Sequence, residues 1–166
     1  RYRAIMRSAM LKQQLQSAGV PDVRQVWAHE IGASRMLIAL AIQQRYPGHA
    51  KQAGALAASC GASVYGCKMV IVVDDDIDVS NLDQLMWAML SRYDPATSVD
   101  ILRRMRSTPA DPRLTPEQRK KRDFTNSRMV VDATRPFDWK DKFPMVNAPS
   151  QEVVRMAREK FGYLLK

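Results

Sequence analysis

Apolar positions recur along the chain with two periods, and the alternation between them predicts its elements. Ile5, Met6, Ala9, Met10, Leu15 and Ala18 fall at helical spacing and Gly19 follows as a stop, so residues 3–18 are predicted as a helix. Pro21 ends any continuation. VRQVWA, residues 23–28, alternates and reads as a strand; RMLIALAI, residues 35–42, reads as a more deeply buried one, set off by a turn around Gly32. A small-residue helix follows over about residues 49–60, with Ala53, Ala55, Leu56, Ala57 and Ala58 allowing close approach to a neighbour. Beyond a loop marked by Gly61 and Gly66, Met69–Val73 is a continuous, largely β-branched run, the pattern of a strand covered on both faces.

That run ends abruptly in Asp74, Asp75, Asp76 and, after Ile77, Asp78. Ser80 with Asp83 three residues on resembles a capping box. Leu82, Leu85, Met86, Met89 and Leu90 then make the apolar face of a helix over 81–92. VDIL (99–102) and RMVVDA (128–133) are two further short strands, and PSQEVVRMAREKFGYLL (149–165) is a final amphipathic helix with Val153, Val154, Met156, Ala157 and Phe161 inward. Strands alternating with helices imply an α/β fold, a three-layer α/β/α sandwich around a mainly parallel sheet. The short turn between the first two strands suits an antiparallel hairpin, which would make the sheet mixed.

Length adds that 166 residues suit a single α/β domain with one core. A hydrophobic share of 46% excludes a disordered tail, and no apolar run approaches the roughly 20 residues that span a bilayer. The basic, amphipathic start RYRAIMRSAML lacks a signal-peptide cleavage site and an initiator methionine, and reads as the cut edge of a longer polypeptide. Cys60 and Cys67 form neither a CxxC pair nor a disulfide framework, which points to reduced thiols in a cytoplasmic protein. The net charge of +9 brings a nucleic-acid partner into consideration. The densest basic stretches, Arg103–Arg106 and Arg119–Arg122, fall in a region rich in turn formers and read as a solvated loop.

The acids carry two readings. Asp74, Asp75 and Asp76, with Asp132 at a second strand end, would suit a divalent cation, as in a phosphoacceptor receiver module using Asp75 or Asp76 with Mg. Alternatively Asp74–Asp78 shape a strand-to-helix junction, where each carboxylate near the helix N-terminus contributes about 0.3–1 kcal/mol. Other candidates are weaker. His29 and Glu30 are adjacent and point to opposite faces if extended. His49 could bind an anion with Arg45 or simply hold the turn, the two cysteines lack an evident base, and Trp27, Trp87 and Trp139 read as packing anchors.

Taken in order, AGVP (18–21), QRYPGHAKQ (44–52), VIVVDDDID (70–78), LMWAMLSRYDP (85–95), STPADPR (107–113) and NSRMVVDATRPFDWKDKFP (126–144) resemble the carboxy-terminal domain of the UbiD-type carboxy-lyases. The resemblance covers nearly the whole chain, and the acidic run followed by a WA-containing helix and DP is specific in combination. It implies decarboxylation or carboxylation of aromatic, heteroaromatic or α,β-unsaturated acids with prenylated FMN, a divalent metal ion (Mn or Mg) and K. These cofactors and the catalytic residues are expected in a separate flavin-binding split-barrel domain, with none bound by this segment. This segment is then a lid that closes the substrate pocket and supports homo-oligomer formation, and the acidic run is a structural junction. The resemblance points to Tyr65, Gly66, Thr108 and Ala110 as pocket wall, with Tyr2 and Arg3 approaching it. The expected partners are a carboxylic acid substrate and the flavin-binding domain; nucleic acid is disfavoured.

Overall fold

The β-branched run Met69–Asp74 (β3) is the middle strand of a five-stranded sheet. The computed structural model describes residues 1–146 and 149–164. The other strands are Val23–Ala28 (β1), Leu37–Ile42 (β2), Val99–Arg106 (β4) and Thr125–Asp132 (β5), and their order is β1-β2-β3-β5-β4. β2, β3 and β5 run parallel; β1 and β4 pair antiparallel at the two edges. The sheet is therefore mixed, with the antiparallel β1–β2 hairpin that the short turn predicts.

Period-two alternation sends each strand's side chains to two cores. On one face Ile38, Leu40, Ile42, Val70, Val72 and Val130 pack under helices Tyr2–Ser17 (α1) and His49–Ser59 (α2) through Leu11, Leu15, Ala53 and Ala57. On the other, Ala39, Ala41, Ile71, Val73 and Val131 meet Leu85 and Ala88 of Leu82–Arg92 (α3). Small residues let α2 lie close to the sheet: a Cβ on Gly54 would stand 2.4 Å from Val130 Cγ1. The result is the three-layer α/β/α arrangement.

Several local expectations need correction. Ser80 and Asp83 form no capping box. Asn81 is the N-cap of α3 and accepts from the Asp83 and Gln84 N–H groups, because its amide oxygen reaches both, while Ser80 turns back to donate to Asp78. Met86 and Leu90 are not core-facing: they lie 36% and 67% exposed on the far side of α3. Arg103, Arg104 and Arg106 belong to β4, not to a loop, and a bulge with Arg104 at φ +55° bends that strand. Charged side chains and a bulge are usual protections of an edge strand. A short helix, Pro116–Lys120 (α4), interrupts the predicted loop, capped reciprocally by Thr115 and Gln118.

The last helix, Gln151–Phe161 (α5), exists, but its apolar face is not inward. Val153, Met156 and Phe161 are 53%, 58% and 46% exposed. Amphipathic spacing shows that a face requires cover and does not say which surface supplies it, and both sheet faces are already occupied. Leu165, at the predicted helix end, lies outside the described residues. Trp27 is partly buried, whereas Trp87 and Trp139 are nearly half exposed and do not act as core anchors. No helix among the described residues is long and apolar enough to cross a membrane.

Candidate substrate pocket

Four segments meet at the amino-terminal edge of the parallel strands and enclose a cavity of about 190 Å³. Arg3 comes from the first turn of α1, Arg35 and Met36 from the β1–β2 turn, Tyr65, Gly66 and Lys68 from the approach to β3, and Thr108, Ala110 and Pro112 from the loop after β4. Five of the six wall residues singled out from the sequence, Arg3, Tyr65, Gly66, Thr108 and Ala110, thus line one space. Tyr2 does not: it is absent from the lining and 75% exposed, because the helical turn that aims Arg3 at the cavity carries its neighbour away.

Polar contacts hold the wall loops in place. Asp111 is 2% exposed; its Oδ2 accepts from Lys68 Nζ at 2.5 Å, from Ser107 Oγ and Asn126 Nδ2 at 3.3 Å each, and its Oδ1 accepts from the Arg113 N–H at 3.0 Å. Burial pushes the Asp111 carboxyl up, and the Lys68 and backbone donors outweigh it, leaving the group below the usual carboxylate range. Arg119 of α4 donates to the carbonyls of Pro109 and Asp111, which ties the loop's outer side to the helix that sequence analysis missed. On the other wall, the 1% exposed Arg128 donates to the carbonyls of Ala58, Val64 and Arg106. It links the end of α2, the residue before Tyr65 and the end of β4. Gly66 takes φ +93°, a conformation that a side chain would strain.

The acidic run lies at the opposite end of β3. A six-residue strand separates it from the pocket by about 20 Å. Asp74 is buried, and its oxygens are taken up by Gln44 Nε2 (2.8 Å), Arg92 Nη1 (3.1 Å), the Arg135 N–H (2.7 Å) and Arg135 Nε (3.1 Å). Asp76 is bidentate to Arg92 at 2.9 and 2.7 Å. Asp78 accepts from Gln25 and from both the backbone and hydroxyl of Ser80, while Asp75 is exposed. Among the described residues no three His, Cys, Asp or Glu side chains gather as a cation would require. Arginine and amide donors fill the positions that a divalent ion or a phosphoacceptor mechanism would need, so these acids do not fit the metal.

Other sequence candidates are dispersed. His29 is buried, whereas Glu30 is exposed and accepts from Trp27 Nε1 at 3.1 Å. His49 is fully buried; its Nδ1 accepts from the Arg45 N–H, its ring stands 4.7 Å from that of Tyr46, and Arg45 itself pairs with Asp22. It holds the turn. Cys60 and Cys67 are free thiols, and burial pushes Cys67 up to about 11, which leaves it protonated and unreactive. Sequence analysis missed Arg35, Met36, Lys68 and Pro112 in the cavity. The only signal was position, next to the Gly32 turn, just before β3 and within STPADPR.

Comparison with known proteins identifies relatives of the chain. A phenolic acid decarboxylase from Escherichia coli O157:H7 is 33% identical over 126 residues, which are 76% of this chain and 25% of that protein. The UbiD-class enzyme HmfF from Pelotomaculum thermopropionicum, solved in complex with FMN, superposes with a TM-score of 0.76 at 27% identity, covering 91% of this chain and 32% of that one. The closed form of the vanillic acid decarboxylase of Sedimentibacter hydroxybenzoicus gives 0.73 at 30% identity, covering 99% and 33%. The chain spans a third or less of the length of each of these relatives. The model of the 3-octaprenyl-4-hydroxybenzoate carboxy-lyase C-terminal domain matches residues 2–133, and the chain belongs to that family.

Proposed function

We propose that this chain is one α/β domain, the carboxy-terminal lid of a carboxy-lyase that decarboxylates, or in reverse carboxylates, an aromatic, heteroaromatic or α,β-unsaturated acid. The observation that carries the reading is the convergence of Arg3, Tyr65, Gly66, Thr108 and Ala110 on one cavity at an edge of the sheet remote from the acidic run. A dry cavity of about 150 Å³ already accepts benzene, so about 190 Å³ suits part of a monocyclic acid. The half-open side is where a second domain would complete the enclosure.

Prenylated FMN, with its Mn or Mg ion and K, belongs in this reading to a split-barrel domain of the same or a partner chain. When bound, the flavin supplies the electron sink that loss of carbon dioxide needs. The residues of this chain position and enclose. Tyr65, Met36, Ala110 and Pro112 offer an apolar wall that excludes water, which strengthens electrostatic contacts inside the site and suppresses side reactions. Closure of such a wall gates turnover; the vanillic acid decarboxylase relative is known in open and closed forms. The run Asp74–Asp78 is a structural junction. Exposed Trp87, Leu90, Val153, Met156 and Phe161 suit contacts with the flavin domain or a second copy in a homo-oligomer, and the free thiols suit the cytoplasm.

Ala110 tests the wall directly. In the intact, flavin-loaded enzyme, Ala110→Leu is expected to lower kcat/KM for bulky acids about tenfold or more relative to the smallest accepted acid, because methylenes added to an apolar wall discriminate by that order. An unchanged order of preference across a panel of acids would remove Ala110 from the pocket.

A further inference from the structure

The cavity carries more positive charge than the chain balances. Arg3, Arg35 and Lys68 all line it, and of these only Lys68 is matched, by Asp111 at 2.5 Å. Among the described residues no carboxylate lies within ion-pair reach of Arg3, Arg7 or Arg35. Arg7 sits one turn beyond Arg3 on the same helix and donates to the Ala62 carbonyl at 3.4 Å. Burial, and then repulsion from the charge of Arg35, hold Arg7 below the usual arginine range, so a third cation adds to the positive field around Arg35 beside the cavity. Like charges brought together beside apolar surface are costly unless an anion joins them.

Arg35 is not carried on a loose loop. Ala33 and Ser34 take positive φ, and the N–H groups of Ser34 and Met36 donate to the carbonyls of His29 and Gly32 at 2.9 and 2.8 Å. A Cβ on Gly32 would stand 2.7 Å from the Leu37 nitrogen, so the tight turn requires glycine. The turn sets Arg35 at the cavity rim, while Met36 and Ala110 give an apolar lining. A bidentate guanidinium is the side chain best matched to a planar carboxylate.

We propose that the acid taken by this pocket carries a second carboxylate, held by Arg35 and Arg3 at the end away from the carboxylate that leaves. The inference rests on the lid reading above and adds the substrate class, an aromatic or unsaturated dicarboxylic acid.

Matched probes test it in the intact, flavin-loaded enzyme: benzene-1,4-dicarboxylate against 4-carbamoylbenzoate, and the same diacid–amide pair on furan and acrylic frames. The two members of each pair are close in shape and differ in one charge. The wild type is expected to favour the diacid of at least one pair by tenfold or more in kcat/KM. Arg35→Gln and Arg3→Gln are each expected to cut that ratio about tenfold, through KM more than kcat, with Arg35→Lys recovering part of it, since loss of a charged hydrogen bond is worth that order. Calorimetric binding of the diacid should weaken in the same variants and with added salt. Equal use of diacid and amide by the wild type, or a ratio within twofold of wild type in both glutamine variants at unchanged flavin content, overturns the proposal; acidic side chains of another domain resting on these arginines would give that result. If Ala110→Leu still reorders the acids, the pocket wall stands and only the second carboxylate is lost. If Ala110→Leu also changes nothing, the pocket reading and the dicarboxylate fall together.

Discussion

Arg92 decides what the four aspartates do. Its side chain is 2% exposed and lies between Asp74 and Asp76, 18 and 16 residues earlier. Acid clusters and acid junctions look alike in sequence, because the pattern shows carboxylates and not the cation that folding brings to them. The resemblance to carboxy-lyases favoured the junction, and the hydrogen bonds give it a physical basis. Without Arg92, buried Asp74 keeps Gln44 and Arg135 while the partly exposed Asp76 loses its bidentate partner, so Arg92→Met is expected to cost about 1–3 kcal/mol in chemical denaturation. The pH dependence follows. Burial pushes Asp76 up, and the Arg92 hydrogen bond and charge outweigh that, holding it low; Asp111 is held low in the same way by Lys68. A depressed carboxylate contributes stability that is fully present above the unfolded Asp value of about 3.9 and is lost as pH falls through the lower folded value. Urea midpoints should therefore show an acid limb below about pH 4 from these two aspartates, on top of an earlier decline below about pH 6.5 from His29 and His49, which burial holds below the usual imidazole range. In Arg92→Met the share from Asp76 should be missing, and a wild-type acid limb in that variant would contradict the pairing.

Elements with a strong period were legible, and those specified by distant partners were not. The alternation of VRQVWA and the β-branched run after Lys68 gave β1 and β3 to within a residue. β4 was read only to Leu102, because Arg103, Arg104 and Arg106 resemble loop residues until an edge strand provides a solvated face for them. α4 was hidden in a turn-rich stretch although Thr115 and Gln118 carry its capping signature. The small-residue character of α2 was legible, and its consequence is measurable. Gly54→Ala gains about 1 kcal/mol of helix propensity, yet the added methyl would collide with Val130 and Val72. Overpacking costs about 1–3 kcal/mol, so the substitution should lower the denaturation midpoint; a raised midpoint would mean that α2 does not lie this close to the sheet.

Across the molecule, the two edges of one sheet differ in character. The carboxyl end of β3 is closed by arginine–aspartate pairs, and the amino end opens into the cavity. Tyr65, Gly66, Thr108 and Ala110 were legible as wall residues only through resemblance, since two loops more than 40 positions apart share no local pattern. Arg35 and Lys68 were not legible, because a basic residue beside a turn is usually just hydrated. The net charge of +9, disfavoured as a nucleic-acid signal because its residues are scattered, also suits attraction of anionic acids toward the pocket. Met86, Trp87 and Leu90 on the outer side of α3, and Val153, Met156 and Phe161 on α5, are exposed on this chain. The most direct test deletes residues 1–166 from the intact protein and measures flavin content beside carbon dioxide release. The expected result is retained flavin with turnover lost, and flavin-loaded protein that lacks this chain yet turns over at the intact rate would contradict the account.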